Sequence, residues 1–155
     1  MRMQFLELKI PPPLVALGSG ALMWFASSLV APFAMPDVIR VSVALTLALT
    51  GISLDLTGLI AFLRAKTTIN PLKPAVTATL VTTGLYRVTR NPMYLGMLLV
   101  LFGWAVFLAN LAALLIAPLF AFYITRFQII PEERVLAEKF GVAFAAYKNS
   151  VRRWL

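Results

Sequence analysis

Two short stretches hold most of the side chains in this sequence that could do chemistry. In "GLYRVTRNPMYLG", residues 84–96, Asn91 stands directly before Pro92, the order of a helix cap followed by proline at the first helical position. A helix that begins there presents unpaired N–H groups and a partial positive charge, so its end suits an anion. Arg90 adds a full charge, and Tyr86 and Tyr94 flank the end with ring faces and hydroxyls. In "IIPEERVLAEKFGVAFAAYKNSVRRWL", residues 129–155, Pro131 reads as a second helix start. Glu132 and Glu133 then fall in the first turn, where the helix dipole favours acids. Dipole pairing on a solvated surface explains those two acids by themselves, without any ligand.

Brought together, the two helix starts make a pocket with an arginine, two carboxylates and aromatic rings. A ligand that matches it is zwitterionic or mixed in charge, with an aromatic portion. S-adenosylmethionine fits that description. Its carboxylate would meet Arg90 or the helix end, its amino group or ribose hydroxyls a glutamate, and its sulfonium the face of a tyrosine. A nucleotide or an anionic lipid headgroup fits less well, because two acids repel it.

The composition removes other chemistries. There is no Cys and no His among the 155 residues, which excludes disulfides, thiolate nucleophiles and the commonest general base and metal ligand. The net charge of +8 would suit nucleic acid, but 61% of the residues are hydrophobic and the mean hydropathy is +0.88. In so apolar a chain, basic loops are better explained by topology and anionic lipid, and no nucleic-acid partner is expected.

The elements that must carry the two stretches are membrane helices. Residues 11–35 hold no charge and are long enough to span; a signal peptide is the rival reading, with Arg2 and Lys9 ahead of the run, but the run is too long and Pro32 spoils the cleavage site. A second span covers 38–63, with Arg40 near its start and Asp55 inside it. Residues 93–125 are too long for one span, and Asn110 is a polar break suited to a tight turn, which gives a hairpin of 92–109 and 111–127. Asp55 is a functional candidate by its depth, or else it is protonated or paired with Arg64 or Lys66 and holds the bundle together. The glycines at 18, 20, 51, 58, 96 and 103 read as close-packing positions between helices.

The basic residues set the orientation. Residues 64–92 carry Arg64, Lys66, Lys73, Arg87 and Arg90 with no acid, and residues 126–155 carry six basic residues. The positive-inside rule therefore predicts four spans, with both termini and the loop 64–91 cytoplasmic. That loop is long for a helix connection and rich in β-branched residues, so it is expected to fold over the cytoplasmic face. Leu136, Phe140, Phe144, Tyr147, Val151 and Trp154 recur at helical spacing. They predict an amphipathic helix over 131–153 that lies on the membrane face or back over the loop. The expected architecture is one all-α integral membrane domain, residues 1–155.

"LVTTGLYRVTRNPMYLG" followed by "EERVLAEKFGVAFAAYKNSVRR" resembles the isoprenylcysteine carboxyl methyltransferase and phospholipid methyltransferase superfamily of integral membrane enzymes. The resemblance covers residues 78–153. It implies that S-adenosylmethionine binds on the cytoplasmic side, between loop and last helix, while a lipophilic acceptor enters from the bilayer. The implied cofactor positions are Leu80, Val81, Tyr86, Asn91, Pro92, Met93, Tyr94 and Glu132, with Glu133 adjacent; Arg90 joins them from the charge argument above. One departure stands out: the family's histidine before the proline is Asn91 here, which hydrogen-bonds but does not titrate near neutral pH. In the carboxyl methyltransferase branch an arginine shortly before the glutamates binds the substrate; Gln128 stands at about that place and Arg126 is the nearest arginine.

Methyl transfer from a sulfonium is an in-line displacement, so the protein must chiefly align donor and acceptor and exclude water. Glu132, Glu133 and Tyr147 are the side chains placed to assist, with Asp55 more distant. The competing readings are a non-catalytic membrane scaffold or lipid-binding protein, a dinucleotide enzyme like the steroid reductases, and a small drug exporter built on Asp55. The expected location is a prokaryotic inner membrane, and the sequence leaves the acceptor open.

Overall fold

The computed structural model describes residues 6–67 and 74–155. Arg2 and Lys73, counted above among the basic residues, lie outside them. The described residues are helical, without strands: α1 (Pro12–Ser27), α2 (Asp37–Arg64), α3 (Pro92–Phe107), α4 (Leu111–Ile124) and α5 (Ile130–Ser150). Among the described residues, two helices are long and apolar enough to cross a membrane, α2 and the continuous run Leu111–Ser150 that begins with α4; α1 and α3 are shorter apolar helices.

Helix α1 stops at Ser27, well before the predicted end at residue 35. The hydroxyls of Ser27 and Ser28 donate to the carbonyls of Trp24 and Phe25. Pro32 and Pro36 then disfavour helix at the residues before them, and residues 31–36 carry no regular structure. This connector packs on the α3–α4 turn: Phe33 donates its N–H to the Ala109 carbonyl at 2.8 Å, and the Asn110 amide donates to Val30 O at 2.6 Å. Both short connections therefore lie at one end of the bundle, and the loop, the start of α1 and α5 gather at the other.

Asn110 does not make the turn that its type suggests. The left-handed residue is Ala109, at φ 47°, while Asn110 is extended and caps α4, its side chain accepting from the N–H groups of Ala112 and Ala113.

Helix α2 runs antiparallel to α3 on a seam of small residues. A Cβ on Gly103 would stand 2.8 Å from the Ala44 carbonyl, and Gly51 and Gly96 meet backbone to backbone further along. Gly18, in contrast, has nothing within 4 Å of the place a Cβ would take, so it packs against no helix. Met23, Leu101, Ala105, Ala113, Ala117 and Phe120 form the core where α1, α3 and α4 meet.

The largest difference from expectation lies at Pro131. There is no helix start: Ile124, Thr125, Ile129 and Ile130 all keep right-handed helical angles, and a single π turn, Thr125–Ile129, joins α4 to α5. Proline has no N–H to offer the carbonyl four residues back. That carbonyl, on Phe127, is taken instead by the N–H of Leu8 at 3.0 Å. The helix that continues bends sharply at Gly141 (φ 49°, ψ −119°), angles that only glycine adopts without strain. Beyond the bend, residues 142–150 fold back over the loop, one of the two placements the sequence allows.

Candidate functional site

The wall nearest the loop is built by Gly84–Arg87, a short 3₁₀ turn entered through Gly84 at φ 62°. Tyr86 is buried there, its ring edge-on to Phe62 of α2 with centroids 5.5 Å apart. Upstream, the Thr67 hydroxyl oxygen accepts the N–H groups of Ala78 and Thr79, which fixes the extended residues that bring Leu80 and Val81 to the site.

Downstream, Asn91 occupies the cap position of α3, but its side chain makes no capping bond. Its amide donates to the Arg153 carbonyl at 2.9 Å, so the first turn of α3 keeps N–H groups that no side chain caps. Arg90 is engaged through both Nη atoms, while its buried Nε has no hydrogen-bond partner. Nη1 donates to the carbonyls of Lys148 and Val151 at 2.9 and 2.7 Å, where α5 ends. Nη2 pairs with Glu133 Oε1 at 2.7 Å. A guanidinium at a helix C-terminus satisfies the last carbonyls and the dipole together.

The opposite wall is the first half of α5. Glu132 Oε1 accepts from the Tyr94 hydroxyl at 2.8 Å and from the Gln128 amide at 2.9 Å. Burial pushes this carboxyl up to about 7, although the two hydrogen bonds act to lower it. Glu133 behaves oppositely. Burial raises it too, but hydrogen bonds from Arg153 and Arg90 hold it below its ordinary value. Two adjacent acids thus diverge because burial prevails at Glu132 and two guanidiniums offset it at Glu133, the pattern expected where one carboxylate is structural and the other is available.

The far half of α5 closes the space. The Tyr147 hydroxyl donates to the Tyr86 carbonyl at 2.7 Å, and burial pushes the phenol up to about 12. Burial lifts Tyr86 well above its ordinary value as well. Both phenols therefore stay protonated at neutral pH. Phe144, buried beside them, packs edge-on to Tyr147.

Between these walls lies a cavity of about 360 Å³, within the range of small-molecule sites. Of the residues singled out from the sequence, Leu80, Val81, Tyr86, Arg90, Asn91, Met93, Tyr94, Glu132, Glu133 and Tyr147 line it. Pro92 is fully buried behind the wall. Gln128, also buried, does not line the cavity but holds Glu132. Arg126 points elsewhere and pairs with Glu7 at 2.9 Å. Asp55 lies in the α2–α3 seam against Gly96, with Oδ1 buried and without a hydrogen-bond partner; no described ion pair links it to Arg64 or Lys66.

Several lining residues are not foreseeable from the motifs, among them Pro11–Pro13 at the start of α1, Phe62, Thr77 and Met97. Leu136 and Phe144 belong to the periodic apolar face of α5 and can be read from it. Nothing in the local sequence marks Phe62 or the triple proline.

Comparison with known proteins points to one family. The family described as phospholipid methyltransferase matches residues 39–143, a stretch that includes α3, α4, both glutamates and most of α2 and α5. An uncharacterized protein of Haemophilus influenzae is 46% identical over 63 residues, which are 41% of this chain and the whole of that relative. No solved structure matches the chain.

Proposed function

Because the chain belongs to the phospholipid methyltransferase family, a family of membrane methyltransferases, we propose that the cavity between α3 and α5 binds S-adenosylmethionine and presents its methyl group to a lipophilic acceptor. The observation that carries the reading is the pairing of an uncapped helix end with Glu132 across one apolar cavity. Those are an anion site and a carboxylate on facing walls, as a zwitterion requires.

The residues fit the donor in a particular way. Arg90 spends both Nη groups on Glu133 and two carbonyls and keeps only a buried Nε unpartnered, so the donor's carboxylate is assigned chiefly to the N–H groups of the first turn of α3. Glu132, whose two hydrogen bonds both go to Oε1, is left Oε2 for the donor's positive end. Tyr86, Phe144 and Tyr147 supply ring faces for the aromatic portion. When bound, the donor supplies an electrophilic methyl on a sulfonium. The chain's own contribution is alignment and exclusion of water by walls of Pro, Met, Leu and aromatic side chains.

The charge pattern also bears on the acceptor. Arg90 is the one cation among the described lining residues, and its Nη atoms are engaged. Arg126, the nearest arginine to the carboxylate-binding place of the carboxyl methyltransferases, is turned away to Glu7. We therefore assign an acceptor whose reacting group is uncharged, such as a neutral amine, rather than a carboxylate. The four apolar helices α1–α4 are assigned to the bilayer, with the site at its cytoplasmic surface.

Calorimetric titration of S-adenosylmethionine and S-adenosylhomocysteine into detergent-solubilised protein tests this reading, with Tyr86→Ala and Glu132→Ala beside the wild type. Binding that both substitutions abolish is the expected result. Well-folded wild-type protein that binds neither compound, with lipid added, would return the chain to the non-catalytic reading.

A further inference from the structure

Arg153 does not line the cavity, yet it completes the charge cluster behind it. Its Nε and Nη2 form a fork on Glu133, 3.1 Å to Oε1 and 2.7 Å to Oε2. Glu133 Oε1 also receives Arg90 Nη2. The three side chains are progressively more shielded: Arg153 is 32% exposed, Glu133 12% and Arg90 8%. A charge as buried as Arg90 is costly unless its partner is fixed in place. Arg153, reaching in from the surface, does that fixing.

The backbone around Arg153 is tied to the same corner. Past α5 the chain is extended from Val151. Arg152 O accepts the N–H of Arg90 at 2.9 Å, and Arg153 O accepts from both the Thr89 hydroxyl and the Asn91 amide. The Trp154 indole donates to Thr125 Oγ1, at the π turn, at 3.1 Å. Residues 151–154 thereby bind the entry of α3 to both ends of the α5 wall.

We propose that Arg153 is a positioning residue for the donor site: its fork on Glu133 holds Arg90 against the end of α5 and keeps Asn91 and the first turn of α3 where the donor's carboxylate is received. The fork also keeps Glu133 turned to the guanidinium side, so that the ligand meets one carboxylate, Glu132, instead of two. This rests on the S-adenosylmethionine reading above. Without the fork, Glu133 Oε2 loses its partner and the carboxylate is held by Arg90 Nη2 alone, so Glu133 is free to reorient toward the cavity and the Nη2 side of Arg90 loses its fixed anchor.

Calorimetry separates positioning from mere stability, because it reads the number of sites and the dissociation constant independently. A folding defect lowers the number of sites and leaves Kd unchanged, whereas mispositioning raises Kd at an unchanged number of sites. With S-adenosylhomocysteine as the probe, Arg153→Ala is expected to raise Kd roughly tenfold, the scale set by loss of a charge-assisted fork. In a Glu133→Gln background, where no carboxylate remains to be held, the same substitution is expected to add little, a non-additivity that marks coupled residues. If Arg153→Ala yields no folded protein, Arg153→Lys serves in its place, since lysine keeps the charge and loses the fork. A Kd within twofold of wild type in the folded variant, or full additivity with Glu133→Gln, overturns the assignment. Wild-type protein that binds no S-adenosylhomocysteine overturns the cofactor reading and this assignment with it.

Discussion

Replacing Glu132 by glutamine is expected to stabilise the protein and to destroy its site at the same time. Burial raises the carboxyl from an ordinary 4.5 to about 7, so between those values the folded protein holds a proton that the unfolded chain has released. The unfolded state then binds fewer protons, and stability falls as pH rises through that window. A gap of about 2.5 pH units corresponds to roughly 3 kcal/mol at pH 8, lost progressively from pH 4.5 upward. Glutamine keeps an oxygen that accepts from Tyr94 and Gln128 and does not ionise, so that loss is removed without opening a cavity. Thermal unfolding of ligand-free protein in detergent at several pH values between 5 and 8 reads the difference. The wild-type midpoint is expected to drop by roughly 6–12 °C relative to Glu132→Gln across the range. Glu7 and Glu133 do not contribute there: their carboxyls are held low, so what they add is lost only as the pH falls below about 4.5. At pH 8 the glutamine variant is also expected to bind no S-adenosylhomocysteine. Parallel midpoints for the two proteins would refute the reasoning, because Glu132 would then be solvated or already neutralised.

Three further outcomes follow from the backbone. Gly96→Ala forces a methyl into Asp55 and the α2 backbone and is expected to cost about 1–3 kcal/mol, while Gly18→Ala, with open space around it, is expected to gain up to about 1 kcal/mol from helix propensity; thermal midpoints of the pair decide whether the α2–α3 seam is close-packed. Gly141→Ala is expected to cost about 1–3 kcal/mol through strain at its positive φ and to weaken S-adenosylhomocysteine binding in the same calorimetric titration, since Phe144 and Tyr147 follow the bend. Asn110→Ala is expected to cost about 3 kcal/mol in thermal unfolding, from a lost cap and a stranded Val30 carbonyl, and to leave ligand affinity unchanged, because it sits at the opposite end of the bundle.

How much of this is legible in the sequence depends on the range of the interactions involved. The apolar runs mark α2, α3 and α4 to within a few residues because a helix in an apolar stretch needs nothing but its own backbone. The cluster around Asn91 is legible as a candidate site because its charges and rings are contiguous. Its wiring is not. Arg90 reads as a free cation for a ligand, but its partners, Lys148, Val151 and Glu133, lie more than forty positions away. Arg126 and Gln128 are two residues apart and invite one role; in the structure the π turn between α4 and α5 sends the first to Glu7 and the second to Glu132. Pro131 reads by the local rule as a helix start, and what overrides the rule is a donor from elsewhere in the chain, the N–H of Leu8.

Four departures from regular structure gather around the candidate site. Gly84 at positive φ, the uncapped entry of α3, the π turn and the break at Gly141 all surround one cavity, while the α2–α3 seam and the α1–α4 core follow the ordinary rules of helix packing. A straight α4–α5 helix would carry Glu132 away from Tyr94 and leave Tyr147 far from Tyr86. The π turn brings Gln128 and Glu132 to α3, and the glycine break returns the aromatic face over the loop. Local irregularity of this kind persists when the rest of the fold over-determines it. Here the four tethers between residues 89–91 and 151–153 do so from one side, and the Glu132–Tyr94 bond does so from the other. Cutting either set is therefore expected to relax the same cavity, by different routes.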